Sequence, residues 1–230
     1  MNDRFVTAGD ASLPVNDLGI QRGYAIFDFF RITNHIPLFL DDHLDRFYHS
    51  ASEMRLPVQQ TRDELKTLIA ELLRQNKLPD SGVRMVLSGG VSPDGYQVVQ
   101  PNLVILQQPL TPPSSQLPKE YKQITYEHQR QMPHIKTTDY LMAVWLQPWM
   151  KENKADDILY HQKGVVTECP RSNFFIVTQN DKVITPATNI LKGVTRKQVL
   201  KVAAINGIVV EERDISIDDI RIAKEALSGS

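Results

Sequence analysis

The sequence predicts a mixed α+β protein in two lobes, and three observations carry that expectation. Segments with apolar residues at helical spacing alternate with short apolar runs of strand character. Both kinds of segment occur on either side of the chain's midpoint. Between them lies Leu110–Lys119, LTPPSSQLPK, in which three prolines and two serines disfavour both helix and central strand. The expected organisation is a first domain over 1–112, a linker over 113–120 and a second domain over 121–230.

In chain order, 5–18 reads as short strands around turns. The run 24–32 is apolar and rich in aromatics, as a buried strand is. A helix is expected over about 42–54 and a second from Thr61, where Thr61-Arg62-Asp63-Glu64 fits a capping box. Leu65, Leu68, Ile69, Leu72 and Leu73 then form one apolar helix face. Strands are expected at 83–87 and 103–106, joined through a Ser92-Pro93-Asp94-Gly95 turn. Beyond the linker, 123–126, 158–160, 173–177, 182–184 and 208–211 read as strands. Helices are expected over about 138–147, ended or kinked by Pro148, and over 195–204.

Composition narrows the function classes. The chain has 230 residues, with 26 Lys+Arg against 27 Asp+Glu and a net charge of −1. No basic excess recommends a nucleic-acid or anionic-membrane partner. No long uncharged apolar run predicts a membrane span, and the polar start MNDRFVTAGD lacks the apolar core of a signal peptide, so the cytoplasm is expected. The single cysteine, Cys169, cannot form an internal disulfide. The six histidines are scattered without metal-ligand spacing, so no metal site is expected. Neither a G-x-G-x-x-G nor a G-x-x-x-x-G-K-[ST] motif is present, and there is no G-x-S-x-G nucleophile elbow.

Several residues carry possible chemistry. Asn189 to Arg196 runs through Gly193 into a helix start, where outward-pointing amides can bind phosphate; an ordinary capped helix fits the same residues, with Thr195 and Gln198 as a second capping box. Arg46 suits a bidentate phosphate contact, although a solvated helix arginine fits equally. Glu168, at the end of an apolar strand, is either an edge residue or a buried carboxylate in need of a cationic or donor partner. Nothing local distinguishes Lys136 from the other lysines.

Taken together and in order, these segments resemble the class IV aminotransferases, which include branched-chain and D-amino acid aminotransferases and aminodeoxychorismate lyase. Asp17 to Asp28, DLGIQRGYAIFD, is similar to the family's D-R-G-x-x-Y-G-D-G-[VI]-[FY]-E. His43-Leu44-Asp45-Arg46 through Ser50 resembles H-[LI]-x-R-L-x-x-S, and Pro133 to Lys136 carries the family's lysine context. Gly164 to Glu168 with Ser172 to Phe175 resembles G-x-[VIL]-[ST]-E-x-x-x-x-N-[LIVF]-F, and Leu191 to Arg196 resembles L-x-G-[IV]-T-R.

The resemblance implies the two-domain fold type IV architecture, a pyridoxal 5'-phosphate cofactor and a homodimer. It implies that Lys136 forms the Schiff base with the cofactor and moves the α-proton. It assigns Glu168 to the pyridine nitrogen, and Arg46, Val194 and Thr195 to the phosphate. Tyr140 is assigned to the ring oxygen. The C-terminal Leu227-Ser228-Gly229-Ser230 resembles a family turn that completes the phosphate and carboxylate sites, which makes Ser230 a further candidate. Family members continue past that turn, so the second domain reads as truncated, by an incomplete sequence or by a site lacking one wall.

Departures from the pattern bear on substrate. Leu18 replaces an arginine, Arg22 stands where an aromatic residue is common, Phe27 where D-amino acid aminotransferases use a tyrosine, and Gly89 where they place a carboxylate-binding arginine. Arg171 is an uncommon cation just after Glu168. Arg22 and Arg171 are therefore candidates to hold the substrate carboxylate, beside Phe27. The expected reaction is transfer of an amino group from an amino acid, leaning to the D series, to a 2-oxo acid. An aminodeoxychorismate lyase-like elimination, an L-branched-chain aminotransferase and a non-catalytic cofactor-binding remnant are the alternatives.

Overall fold

A computed structural model describes residues 1–2, 4–111 and 121–230. The chain divides into two compact units, Met1–Ser115 with Ile135–Asp139, and Gln116–His134 with Tyr140–Ser230. The expected linker over 113–120 lies outside the described residues. Ile135–Asp139, on the C-terminal side of that linker, packs with the first unit.

The first unit is built of α1 (Leu18–Arg22), β1 (Ala25–Thr33), β2 (Ile36–Pro37), α2 (Leu40–Glu53), α3 (Arg62–Asn76), β3 (Ser81–Ser88) and β4 (Asn102–Pro109). The strands form an antiparallel sheet in the order β2-β1-β3-β4. Side chains alternate across a strand, so Ile26, Phe30 and Ile32 of β1 share one face. They join Leu44 and Phe47 of α2 and Leu65 and Ile69 of α3 in the core. Burying each such side chain contributes about 1.5–3 kcal/mol. The predicted capping box is formed: Thr61 Oγ1 accepts from the Glu64 amide, and the Glu64 carboxylate accepts from the Thr61 amide.

The opening segment differs from expectation. Among the described residues of 5–17 there is no strand, only an isolated bridge between Asp17 and Val91. The reason lies at Asp17, whose carboxylate is fully buried and caps α1 by accepting from the Gly19 amide at 2.7 Å. Ser88 Oγ and Asn102 Nδ2 also donate to it, at 2.8 Å each. A capping aspartate favours a helix start over a ladder. Gly23 ends α1 in the left-handed region, at φ 66°.

The second unit holds β5 (Gln123–Glu127), α4 (Leu141–Trp145), α5 (Gln147–Glu152), β6 (Asp157–Gln162), β7 (Val165–Val166), β8 (Asn173–Val177), β9 (Val183–Thr185), α6 (Val194–Ile205), β10 (Val210–Glu212), β11 (Ile215–Ser216), α7 (Ile217–Arg221) and β12 (Glu225–Gly229). They form two four-stranded sheets, β11-β7-β6-β5 and β10-β9-β8-β12. The pairs β5–β6 and β9–β10 are parallel, which requires a long connection; α4 and α5 lie in the first and α6 in the second.

Three expectations are corrected here. The helix read over 138–147 starts only at Leu141, and Pro148 opens α5 instead of closing a helix, since a proline in the first turn gives up an amide with no intrahelical partner anyway. Helix α6 begins at Val194 with Gly193 as its N-cap, so Thr195 lies inside the first turn and does not cap it. The segment read as a C-terminal turn is the strand β12, paired antiparallel with β8 so that Gly229 faces Asn173.

Candidate active site

Lys136 is held by its backbone. Its carbonyl accepts from the Phe27 amide at 2.9 Å, and its own amide donates to Ser50 Oγ of α2 at 3.2 Å. The next residues continue along β1, with Thr137 bridging Ile26 and the Thr138 amide donating to the Ala25 carbonyl. The lysine is thus fixed at the start of β1, on the edge opposite β3. Its Nζ stands 4.5 Å from the centre of the Phe27 ring, and the Arg84 guanidinium stands 5.0 Å from the same centre. A ring face attracts a cation while leaving its lone-pair chemistry available once the proton is lost.

On the other face of β1 lies a fully buried carboxylate, Asp28. Arg46 grips it with a two-toothed contact, Nε to Oδ2 and an Nη to Oδ1, both at 2.8 Å. His43 Nδ1 approaches Oδ1 to 2.7 Å. Burial pushes the Asp28 pKa up, but the bonds and charge of Arg46 and His43 outweigh it and hold it below the ordinary aspartate value. An ionised carboxylate only accepts, so His43 carries its proton on Nδ1. The sequence singled out Arg46 and missed its partner. The signal was the pairing of Asp28 on one strand face with His43 and Arg46 three residues apart on a helix.

Glu168 belongs to the second unit and is the buried alternative of the two open from sequence, 5% exposed. Its backbone makes a β-bulge: the Thr167 amide donates to the Tyr160 carbonyl, and the Tyr160 amide donates to the Glu168 carbonyl, so two residues oppose one. Such a bulge re-aims the side chains at a strand end. Arg130 Nε donates to one carboxylate oxygen at 3.0 Å and the Leu191 amide to the other at 2.9 Å. Arg130 is itself only 9% exposed and also donates to the Pro133 carbonyl. It was not visible in the sequence, because it lies 38 residues from its partner.

The same loop leads into α6. Asn173 of β8 donates to the Leu191 carbonyl at 2.7 Å and accepts from the Gly193 amide at 3.2 Å. Leu191–Gly193 is thereby held between Glu168 and Asn173. A Cβ on Gly193 would come within 2.2 Å of Asn173 Oδ1, so a side chain there would have to displace the Asn173 amide. No side chain caps α6, and Val194 and Thr195 form its first turn. Gly229 of β12 approaches here: a Cβ on it would lie 3.6 Å from Thr195 Cγ2. Ser230 is the next residue. An uncapped helix start edged by glycines and a hydroxyl is suited to a phosphate.

The remaining candidates are more dispersed. Tyr140 directly precedes α4 as its N-cap. Arg22 is exposed in the first unit, 5.0 Å from the Tyr96 ring centre and bonded to the Gly95 carbonyl. Arg171 is exposed in the second unit, where its charge favours the ionised form of Asp157 against the burial that raises that group's pKa. A Cβ at Gly89 would meet Leu18 Cβ at 2.9 Å, so the position has no room for an arginine. Burial pushes the Cys169 thiol up to about 12, which makes it a protonated core side chain at neutral pH. Among the described residues no group of His, Cys, Asp and Glu could hold a metal ion, and no helix is long and apolar enough to cross a membrane.

Comparison with known proteins bears on the family and the fold. The family model described as amino-transferase class IV matches residues 25–230. A D-alanine aminotransferase of Bacillus licheniformis is 28% identical over 229 residues, covering 97% of this chain and 81% of its own. A D-alanine aminotransferase of Listeria innocua is 29% identical over 239 residues, covering 100% of this chain and 82% of its own. The branched-chain aminotransferase of Thermoproteus uzoniensis, solved with norvaline, superposes with a TM-score of 0.87 at 26% identity, covering 100% of this chain and 82% of its own. The match over nearly the whole chain, together with the fold, establishes that it belongs to the class IV aminotransferases, a family of pyridoxal phosphate-dependent enzymes.

Proposed function

We propose that this chain binds pyridoxal 5'-phosphate through Lys136 and transfers an amino group from a D-amino acid to a 2-oxo acid. The observation that carries the reading is Glu168, a buried carboxylate held by Arg130 and the Leu191 amide. A carboxylate so fixed can keep a pyridine nitrogen protonated. When bound, the protonated cofactor ring supplies an electron sink for the substrate's α-carbon. Lys136 Nζ is the group that would hold the cofactor at its aldehyde carbon and, once the substrate's amine has displaced it, the base that would carry the α-proton. The N-terminal amides of α6 at Val194 and Thr195 would hold the phosphate, with Ser230 and the Arg46 Nη that does not bind Asp28 as further donors. Tyr140 donates to the ring oxygen.

The residues fit the group on two independent grounds. Gly193 is a position where any side chain would collide with Asn173, which keeps the mouth of α6 clear. Glu168 is a buried carboxylate fixed in place by Arg130 and the Leu191 amide. The D-amino acid preference rests on the D-alanine aminotransferase relatives; Arg22, Arg171 and Phe27 are the proposed substrate-facing residues. The branched-chain relative keeps an L-branched-chain substrate as the second reading. A homodimer in the cytoplasm is the setting this function implies.

Borohydride reduction of the cofactor-loaded protein followed by peptide mapping tests the attachment. The label is expected on Lys136, and a label elsewhere or none overturns the reading. Spectral half-reactions with paired D- and L-amino acids then test the substrate. A change with D-alanine and none with L-leucine supports the first reading, and the reverse supports the second. Release of pyruvate without an acceptor would instead indicate a lyase.

A further inference from the structure

Tyr160 has a side chain with an unexplained polar atom. The residue is 2% exposed, and its hydroxyl is buried with no hydrogen-bond partner among the described residues. A tyrosine in an apolar core ordinarily gives its hydroxyl a partner, and leaving one unmade costs about 1–3 kcal/mol. A phenylalanine would fill the same space without that cost.

The position of the hydroxyl identifies what would satisfy it. Tyr160 is the single residue opposite Thr167 and Glu168 in the bulge, so it neighbours the carboxylate proposed to meet the pyridine nitrogen. Its ring packs edge-on against His128, with centroids 4.9 Å apart. Its side chain lies in a cluster with Leu146 and with Met142 of α4, the helix that Tyr140 directly precedes, and burial raises its pKa, which keeps it a neutral donor at neutral pH. On the cofactor ring the carbon bearing the phenolic oxygen is separated from the nitrogen by one carbon, and the phosphate arm leaves from the opposite edge. A donor beside Glu168 and packed against the helix that Tyr140 opens is on the side of the nitrogen–oxygen edge.

We infer that Tyr160 is a cofactor-positioning residue whose hydroxyl donates to the phenolic oxygen of pyridoxal phosphate, alongside Tyr140. This inference rests on the proposed cofactor site. A bond to that oxygen draws electron density from it and weakens its hold on the proton it shares with the attached nitrogen. The loaded wild-type protein should then lose that proton at lower pH than a protein without the donor.

The test compares wild type with Tyr160→Phe in three measurements. In the cofactor-free protein, the melting temperature of the variant should equal or exceed that of wild type, because an unsatisfied hydroxyl has been removed. Affinity for pyridoxal phosphate, read by fluorescence quenching on reconstitution, should fall by about five- to tenfold. The pH midpoint of the bound cofactor's visible absorbance should move upward. Equal affinity together with an unmoved midpoint overturns the inference, as does a lower melting temperature with unchanged affinity, which marks the hydroxyl as purely structural. Failure of the wild type to bind pyridoxal phosphate is a separate result that removes the proposed function itself.

Discussion

At the residue scale, two buried carboxylates, Asp28 and Glu168, are held by different partners. Asp28 is gripped by Arg46 and His43, and its pKa is held below the ordinary value. A group depressed on folding contributes its full stabilisation above its unfolded pKa, about 3.9 for an aspartate, and loses it as pH falls toward the folded value. Wild type should therefore lose urea stability progressively below about pH 4, and Asp28→Asn should be less stable at neutral pH with a flatter acid limb. A variant whose acid limb matches wild type would contradict this. Removing one partner of a buried pair leaves the other uncompensated, so the neutral-pH loss should be about 3–5 kcal/mol. Glu168 is the carboxylate proposed to face the cofactor. Glu168→Gln keeps the shape and loses the charge that favours a protonated ring nitrogen. Its turnover number should fall by about a hundredfold, about 2.7 kcal/mol, with the Michaelis constants within a few-fold of wild type. A rise in the Michaelis constant with turnover unchanged would contradict the assignment.

At the element scale, legibility in the sequence followed locality. The start of α3 was readable because both halves of its capping box lie within four residues, Thr61 to Glu64. Thr61→Ala should lower stability by about 1 kcal/mol, seen as a drop in melting temperature with activity intact. The strands β1, β3 and β8 were readable because burial on both faces leaves a nearly continuous apolar run. The strand β12 was not, because its residues are largely exposed and only pairing with β8 makes it a strand. The same division holds for the site. Lys136 and Glu168 stood out through motifs, while Arg130 and Asn173 act through partners far along the chain. The N-cap of α6 was misjudged by two residues because Thr195 and Gln198 imitate a capping box, whereas Asn173 fixes Gly193 from another strand. Gly193→Ala should force Asn173 aside and weaken pyridoxal phosphate binding by about tenfold with little change in secondary structure, measured by reconstitution and circular dichroism. Undiminished binding would argue against a phosphate at this helix start.

At the scale of the whole molecule, exposed apolar surface carries the remaining expectation. Large exposed hydrophobic side chains recur on two elements of the second unit. Leu141, Val144 and Trp145 of α4 are 77%, 67% and 65% exposed and share a face at helical spacing. Val202 and Ile205 of α6 are 58% and 84% exposed, and Val209 just beyond is 76% exposed. Scattered apolar residues need no explanation, but runs at helix periodicity mark surfaces that another chain covers. A net charge of −1 offers little repulsion between copies. The proposed homodimer follows if a second copy covers one of these faces, and it predicts concentration-dependent association by analytical ultracentrifugation. Burying a side chain of this size contributes about 1.5–3 kcal/mol, so placing charges at Val202 and Ile205 together should weaken association at least tenfold if α6 is that face. Trp145→Lys is the parallel test for α4. Both variants alter exposed positions, so their circular dichroism should match wild type. A chain that sediments as a monomer at every concentration, with cofactor bound, would leave these faces for a different partner and remove the dimer from the proposal.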